Sequence, residues 1–350
     1  MLYAGLDYHT KKSYVSLLDD AGVEIGGANL ESGHELADFL EGLDGVQVLF
    51  EAGYGWPRLV KLLANSGVEL NMCHPEENRR IATDRRKSDS RDANNLAMYL
   101  KSGMYKKAYM PDDAVRDERQ LVRGRAYTVR KITRLRNQVR SLLAYAGVQK
   151  VPANIFAMKN RYYFDTIELP ESTRIVLDVN LESFDAHNEM LKRLDARMKE
   201  MNRVEPRARL LKTIPGVGDV TARTLLSEIG DIARFKTAKS LACYSGLVPK
   251  QRQSGESMRS MGLTKEGSAH IRAVMVQAAW ITIRLDPAFR EFYDELKARK
   301  NAQTAICAVA RKLVTAAWYI LKNDVPYRAR KPVHESKPAV ARGTVSPEAD

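Results

Sequence analysis

Cysteine is scarce in this chain. Cys73, Cys243 and Cys307 are the only three in 350 residues, widely separated and with no Cys-x-x-Cys pair. That pattern excludes a disulfide framework and argues against a structural zinc site. The opening Met1-Leu2-Tyr3-Ala4-Gly5-Leu6-Asp7 lacks a basic segment and a long apolar run, so no signal peptide is expected. The most apolar late stretch, Ala302 to Leu321, carries Arg311 and Lys312 at its centre. It is expected to be a buried amphipathic helix, not a membrane span. A reducing cytoplasm, with no membrane partner, fits these absences. Acid is also in short supply: 43 Asp+Glu face 56 Lys+Arg, a net charge of +13. A surplus of that size suggests a polyanionic partner, most simply nucleic acid, although a generically basic protein would show it too.

What is present is globular composition, 44% hydrophobic and 28% charged. The length exceeds what one core usually covers, so two domains and a connector are expected. Short strands are expected over 2–8, 13–18 and 23–30, then a helix from Gly33 to Leu43, and a buried strand over Val46–Phe50. A helix from Trp56 to Asn65 and a strand from Val68 to Cys73 follow, and Pro75 opens charged helical sequence to about Leu100. A meander followed by strands alternating with helices makes a mixed α/β domain, placed at 1–108. Helical spacing over 114–146, and heptad spacing of Phe184, Leu191 and Met198 within 181–201, make 109–205 a coiled-coil connector. The pattern fits either a dimer or an intramolecular hairpin. Residues 206–322 form a second, all-α domain, and the proline-bearing tail 323–350 is expected to be disordered.

Four carboxylates stand out in the first domain. Asp7 and Glu51 lie near the ends of two expected strands, and Asp89 and Asp92 sit three apart at the start of an expected helix. Phosphodiester chemistry needs such clusters, because Mg²⁺ demands hard oxygen ligands and two ions about 3.5–4 Å apart stabilise both attacking and leaving oxygens. Taken singly, each acid reads as an N-cap or a solvated charge, and Asp89 in particular could cap its helix. The ordered set is the stronger signal. After Glu51, Gly53 and Gly55 permit close approach by a strand, while Tyr54 and Trp56 could stack on a base or simply pack.

Between Val115 and Arg140 the arginines include Arg123, Arg130, Arg134 and Arg136, opposed locally only by Asp117 and Glu118. With so few acids to pair them, a phosphate-tracking face is expected. Leu210-Leu211-Lys212-Thr213-Ile214-Pro215-Gly216-Val217-Gly218-Asp219 resembles a helix-hairpin-helix, whose Gly216 and Gly218 would offer backbone N–H groups to phosphate at a helix N-terminus. Ser254, near Lys250 and Arg252 and before Gly255, could attack a phosphodiester, but spacing alone favours a plain turn there. His270 is the only histidine nearby in sequence, so a Ser-His-Asp triad has little support.

Gly-Leu-Asp7, Phe-Glu51-Ala-Gly-Tyr-Gly, Lys-Ser-Asp89-Ser-Arg-Asp92-Ala, Ile-Pro-Gly-Val-Gly and Gly-Leu-Val-Pro…Ser254-Gly occur in that order. Together they resemble the DEDD transposases of the IS-one-ten type insertion sequences, which include the Piv-like DNA invertases, over about residues 2–321. The resemblance implies a RuvC-like, RNase H-fold first domain holding Mg²⁺, two ions, on Asp7, Glu51, Asp89 and Asp92. It also implies a helical transposase domain whose Ser254 attacks DNA. Further implications are a homo-oligomer (dimer or tetramer) acting on donor and target DNA, a structured bridge RNA as guide, and a bacterial or archaeal, nucleoid-associated setting. Ser88 and Ser90 depart from the usual Lys-Thr-Asp-Arg-Arg-Asp flanks, and Gln253 stands where a small residue is common. A RuvC-like nuclease and a non-catalytic nucleic-acid-binding protein are the alternatives. The four acids speak against the second of these, and the complete second domain against the first.

Overall fold

The computed structural model describes residues 1–43, 45–75, 88–254, 257–264 and 266–329, with backbone alone at 251–254 and 257–261. It divides into two compact units, Met1–Met110 and Pro111–Asp350.

The first unit is a five-stranded mixed sheet of order β3-β2-β1-β4-β5. Strands β1 (Leu2–Tyr8), β2 (Ser13–Leu18) and β3 (Glu24–Leu30) form the antiparallel meander. Strands β4 (Val46–Glu51) and β5 (Glu69–Cys73) add in parallel beside β1. One face carries Ala4, Leu6, Val15, Leu17, Val48, Phe50 and Met72, covered by α1 (Gly33–Glu41) and α2 (Trp56–Leu62). Because side chains alternate along a strand, Tyr3, Gly5 and Asp7 point to the opposite face. There Leu49 and Cys73 pack with Leu96 and Leu100 of α3 (Asp89–Ser102). The strands lie within a residue or so of the expected positions. Much of the charged stretch after Pro75 falls outside the described residues.

Helix α3 lies very close to β1. A Cβ on Gly5 would stand 1.8 Å from the Ala93 carbonyl oxygen and 2.4 Å from the Ala97 nitrogen. Both are backbone atoms, so no rotamer change relieves the clash. Ser88, not Asp89, caps the helix: its hydroxyl accepts the Arg91 N–H at 3.4 Å, and Gly103 at φ 68° ends it. This corrects the capping reading of Asp89, which is left as the first helical residue with its carboxylate available for other contacts.

In the second unit α4 (Asp113–Tyr145) and α5 (Glu171–Val204) form an antiparallel hairpin within the chain. Arg125 meets Asp195 at 2.6 Å near one end, while Ile132, Val139 and Leu143 pack with Leu177, Leu181 and Phe184 toward the other. The two heptad-bearing helices thus pack on each other within the chain. Helix α5 begins at Glu171, ten residues before the expected start, because the loop ahead of it folds Ile155, Phe156 and Phe164 onto the hairpin tip. Next come α6 (Pro206–Leu211), α7 (Asp219–Ile229), α8 (Ala238–Tyr244), a ribbon of β6 (Pro249–Ser254) and β7 (Ser257–Leu263), then α9 (Ala269–Leu285), α10 (Pro287–Arg299) and α11 (Ala302–Asn323). The ribbon qualifies the all-α expectation for this region. Helix α11 alone among the described helices has the length and apolarity to cross a membrane, yet Ala305, Val309, Leu313, Val314, Ala317 and Leu321 are buried in the core. Residues 324–329 do not follow the disordered reading of the tail. Tyr327 donates its hydroxyl to Asp286 at 3.0 Å and its N–H to the Thr213 hydroxyl at 2.8 Å.

Replacing Gly5 by Ala is expected to lower stability by about 2 kcal/mol or more, since an inserted methyl forces α3 off the sheet. Denaturant unfolding checks this, and an unchanged midpoint would show that the helix yields freely.

Candidate functional site

Asp7 is the last acid-bearing position of β1 before the β1–β2 turn, and Glu51 ends β4, the parallel neighbour. Leu6 pairs with Phe50, so Asp7 and Glu51 are adjacent in register and share the face on which α3 packs. The close approach at Gly5 sets the first turn of α3 over the same end of the sheet. Asp89 consequently meets Asp7: ligand atoms of Asp7, His9 and Asp89 all lie within 4.8 Å of one another. The His9 imidazole Nε2 is 3.6 Å from Asp7 Oδ1, and Lys12 Nζ is 3.5 Å from Asp89 Oδ2. Glu51 and Asp92 are not members of this tight trio but face the same region. Tyr99, about two turns beyond Asp92, has its phenol pushed above its ordinary pKa first by burial and then by the charges of Asp92 and Glu51. The positive end of the α3 dipole offsets part of the repulsion among these acids. Oxygen donors from two strands and one helix, plus an imidazole, suit a divalent cation. Close by, Tyr54 is 99% exposed, whereas Trp56 is partly buried against the sheet core. Of the two aromatics, then, only Tyr54 presents a ring to a ligand.

The basic helix is less free than its local sequence suggests. Arg123 grips Glu228 of α7 with two hydrogen bonds, at 2.8 and 3.1 Å. The Glu228 side chain is 1% exposed. Arg119 binds the Ser227 and Glu228 carbonyls, and Arg136 stacks over Phe156 and Phe184. Arg123 thus has an acid partner from a distant segment, which its local sequence does not show, and it links α4 to α7. Arg130 and Arg134 remain exposed on the helix.

Around Glu228, Ser268 (the N-cap of α9) donates to the carboxylate at 3.2 Å, and the Tyr244 hydroxyl donates to the backbone carbonyl at 3.3 Å. The ribbon base is anchored beside it, with the Ser268 N–H on the Tyr244 carbonyl at 2.7 Å and the Thr264 N–H on the Val248 carbonyl at 3.0 Å. Ser254 ends β6 opposite Ser257, and Lys250 and Arg252 lie on the same strand. Local spacing suggested a plain turn, and the structure has a strand ending at Ser254. Ser245 is fully buried and donates to the Ala242 carbonyl at 2.7 Å, so it is not presented to DNA. At the hairpin between α6 and α7, Gly216 has φ 85°, and a Cβ there would meet the Ala278 carbonyl at 2.6 Å. Glycine is thus required by the packing against α9, a reason other than the expected phosphate contact. Gly218 is exposed just before α7, whose first acid, Asp219, is bound by Lys212 at 2.7 Å and Asn202 at 3.1 Å.

A mixed sheet with acids at the ends of two parallel neighbours, crossed by a helix adding two more, gathers oxygen donors of the kind that suit a divalent cation. The comparisons with known proteins narrow this. Residues 4–146 match the DEDD transposase domain of IS110 elements, and residues 208–294 match the transposase domain of the IS116/IS110/IS902 family. The chain belongs to that family of transposases, enzymes that cleave and rejoin DNA. It is 22% identical to the transposase for insertion sequence element IS1111A of Coxiella burnetii over 80% of this chain and 79% of that protein. It is 27% identical to the transposase for insertion sequence element IS1328 of Yersinia enterocolitica over 57% of this chain and 61% of that one. The pilin gene-inverting protein of Moraxella bovis is 36% identical over 37% of this chain and 40% of its own length.

Arg123→Ala should destabilise the second unit by about 3 kcal/mol, the low end for breaking a buried pair because Arg123 is 45% exposed. It should leave the salt dependence of DNA binding unchanged. A flattened salt slope at unaltered stability would return Arg123 to the DNA-facing set. The same cluster makes stability depend on pH. Burial holds the His270 imidazole below its ordinary 6.5, with Arg123 and Arg130 adding to that and Glu228 opposing it. The unfolded chain then binds the proton more readily, so this stability is present above pH 6.5 and lost as pH falls below it. Glu228 acts in the same direction lower down: burial would raise its pKa, but Arg123 holds it below 4.5. His270→Asn should flatten the decline in melting temperature between about pH 7 and pH 5, and an identical decline would assign it to another group.

Proposed function

We propose that this transposase is a site-specific DNA recombinase whose first unit is a RuvC-like, RNase H-fold domain and whose Ser254 forms a covalent link to DNA. The observation that carries the reading is the meeting of Asp7 and Asp89 across the β1–α3 contact, with Glu51 adjacent in register. Asp7, Glu51, Asp89 and Asp92 would hold Mg²⁺, as a pair of ions. When bound, these ions neutralise the scissile phosphate and lower the pKa of an attacking hydroxyl. The chain's own groups do the rest. The Ser254 hydroxyl loses its proton and attacks a backbone phosphorus. The phosphorus–oxygen bond to one deoxyribose breaks, that oxygen takes up a proton, and the phosphodiester persists as a serine–DNA ester. A hydroxyl of a second strand then attacks the ester and releases the serine, so strands are exchanged with no external energy source.

Arg130, Arg134 and the exposed edge of Arg136, with Lys250, Arg252 and Gly218, would track the backbone, and Tyr54 offers a ring for base stacking. Donor and target DNA are the substrates, in a bacterial or archaeal cytoplasm. A structured bridge RNA pairs the two DNAs within a homo-oligomer, where the serine meets the acids of its own chain or of a partner. Inversion is kept as a second reading because of the likeness to the pilin gene-inverting protein.

Asp7→Asn, Glu51→Gln and Asp92→Asn should each abolish strand cleavage while the protein stays folded, and wild-type rates in all three would remove the acids from the chemistry. Ser254→Ala should abolish protein–DNA adducts seen by denaturing gel and mass spectrometry. Cleavage that persists without any adduct in the wild type would point instead to hydrolysis by a RuvC-like nuclease. Reversing Arg130 and Arg134 to Glu should reduce the slope of log binding constant against log salt by about one unit per lost phosphate contact, and an unchanged slope would place the DNA elsewhere.

A further inference from the structure

The acid site contains a residue that a set of four carboxylates does not include. His9 follows Asp7 by two positions, so strand alternation carried past the end of β1 returns it to the face of Asp7. The β1–β2 turn holds it there. The His9 N–H donates to the Lys12 carbonyl at 3.2 Å, and the Ser13 hydroxyl donates to the His9 carbonyl at 3.4 Å. Its Nε2 lies 3.6 Å from Asp7 Oδ1, too long for a hydrogen bond between them. The spacing does suit two ligands of one ion. At metal–ligand distances of about 2.0–2.2 Å, octahedral neighbours stand about 3 Å apart and opposite ligands about 4.3 Å apart. The donor atoms of Asp7, His9 and Asp89 lie within 4.8 Å of one another, a small side-chain rotation from that range. Lys12, 3.5 Å from Asp89, places a cation beside the trio, and an arriving ion would compete with it.

We infer that His9 is a nitrogen ligand to the ion shared by Asp7 and Asp89, and that it tilts this position toward Mn²⁺ or another first-row transition ion over Mg²⁺. Mg²⁺ demands near-ideal octahedral oxygen coordination and gives up water reluctantly, so an imidazole adds little to its binding. First-row transition ions accept imidazole readily, and affinity rises along their series. The ring stays 59% exposed, so its removal leaves the fold intact. The inference rests on the acids forming a metal centre, and the test separates the two.

The test uses the full chain without DNA. Mn²⁺ and Mg²⁺ affinities are measured by titration for the wild type, His9→Ala and Asp7→Asn, and bound Mn²⁺ is examined by electron spin echo modulation for a coupled nitrogen. The wild type should show nitrogen modulation. His9→Ala should lose it and bind Mn²⁺ on the order of tenfold more weakly, with Mg²⁺ affinity changed less than about threefold. Asp7→Asn should lose binding of both ions. If Asp7→Asn weakens binding while His9→Ala keeps both the nitrogen signal and the Mn²⁺ to Mg²⁺ ratio, the inference is overturned and the acid centre stands. If the wild type binds neither ion, or Asp7→Asn binds as the wild type does, the metal centre itself falls, and the role of His9 with it.

Discussion

The approach of α3 to β1 at Gly5 is the contact on which the acid site depends. A strand and a helix come together here with no side chain between them, because the residue facing the Ala93 carbonyl has none. One more carbon would lift the helix and carry Asp89 away from Asp7. The other face of the sheet, filled by branched and aromatic side chains under α1 and α2, holds the strands in the register that makes Asp7 and Glu51 neighbours. The two faces thus divide the work: one supplies burial, and the other trades burial for a close backbone contact and a cluster of acids at its open end. Such a cluster is electrostatically unfavourable by itself, and the Ser88-capped helix N-terminus and Lys12 offset part of that repulsion.

In the second unit the corresponding constraint is Glu228. A carboxylate with 1% exposure is costly unless fully paired, and this one collects Arg123 from α4 and Ser268 from the start of α9, while its backbone carbonyl takes Arg119, Arg234 and Tyr244. The polar hub joins the long hairpin to the base from which the Ser254 ribbon projects. The ribbon is a two-stranded ladder, tied to the unit at its base by the Thr264–Val248 and Ser268–Tyr244 backbone bonds.

Elements with a strong local signature were legible in the sequence. The five strands of the first unit lie where alternation and apolar runs put them, and the Asp-x-x-Asp at the start of α3 was visible as a pair on one helix face. His9 was missed, although the signal existed: Asp-x-His at a strand end places both residues on one side. The capping role went to Asp89 instead of Ser88, because serine and aspartate cap almost equally well and local sequence does not say where the first turn begins. The acid partner on the basic helix α4 was hidden for a different reason. Arg123 and its acid are 105 residues apart, and no window along the chain contains both. The strand ending at Ser254 was hidden too, since Lys-Gln-Arg-Gln-Ser has little strand propensity and forms a strand only by pairing with the segment that follows.

Local pattern sets the meander-then-crossover order of the first unit, the two long amphipathic helices, the apolar stripe of α11 and the acids available for a metal, because each follows from periodicity and residue chemistry within one segment. Tertiary structure alone decided which acids meet, which arginines stay exposed, that Ser245 is buried, and that residues up to Ala329 lie along the second unit. Those outcomes depend on pairs distant in the chain, and on whether a buried charge finds its partner before water does.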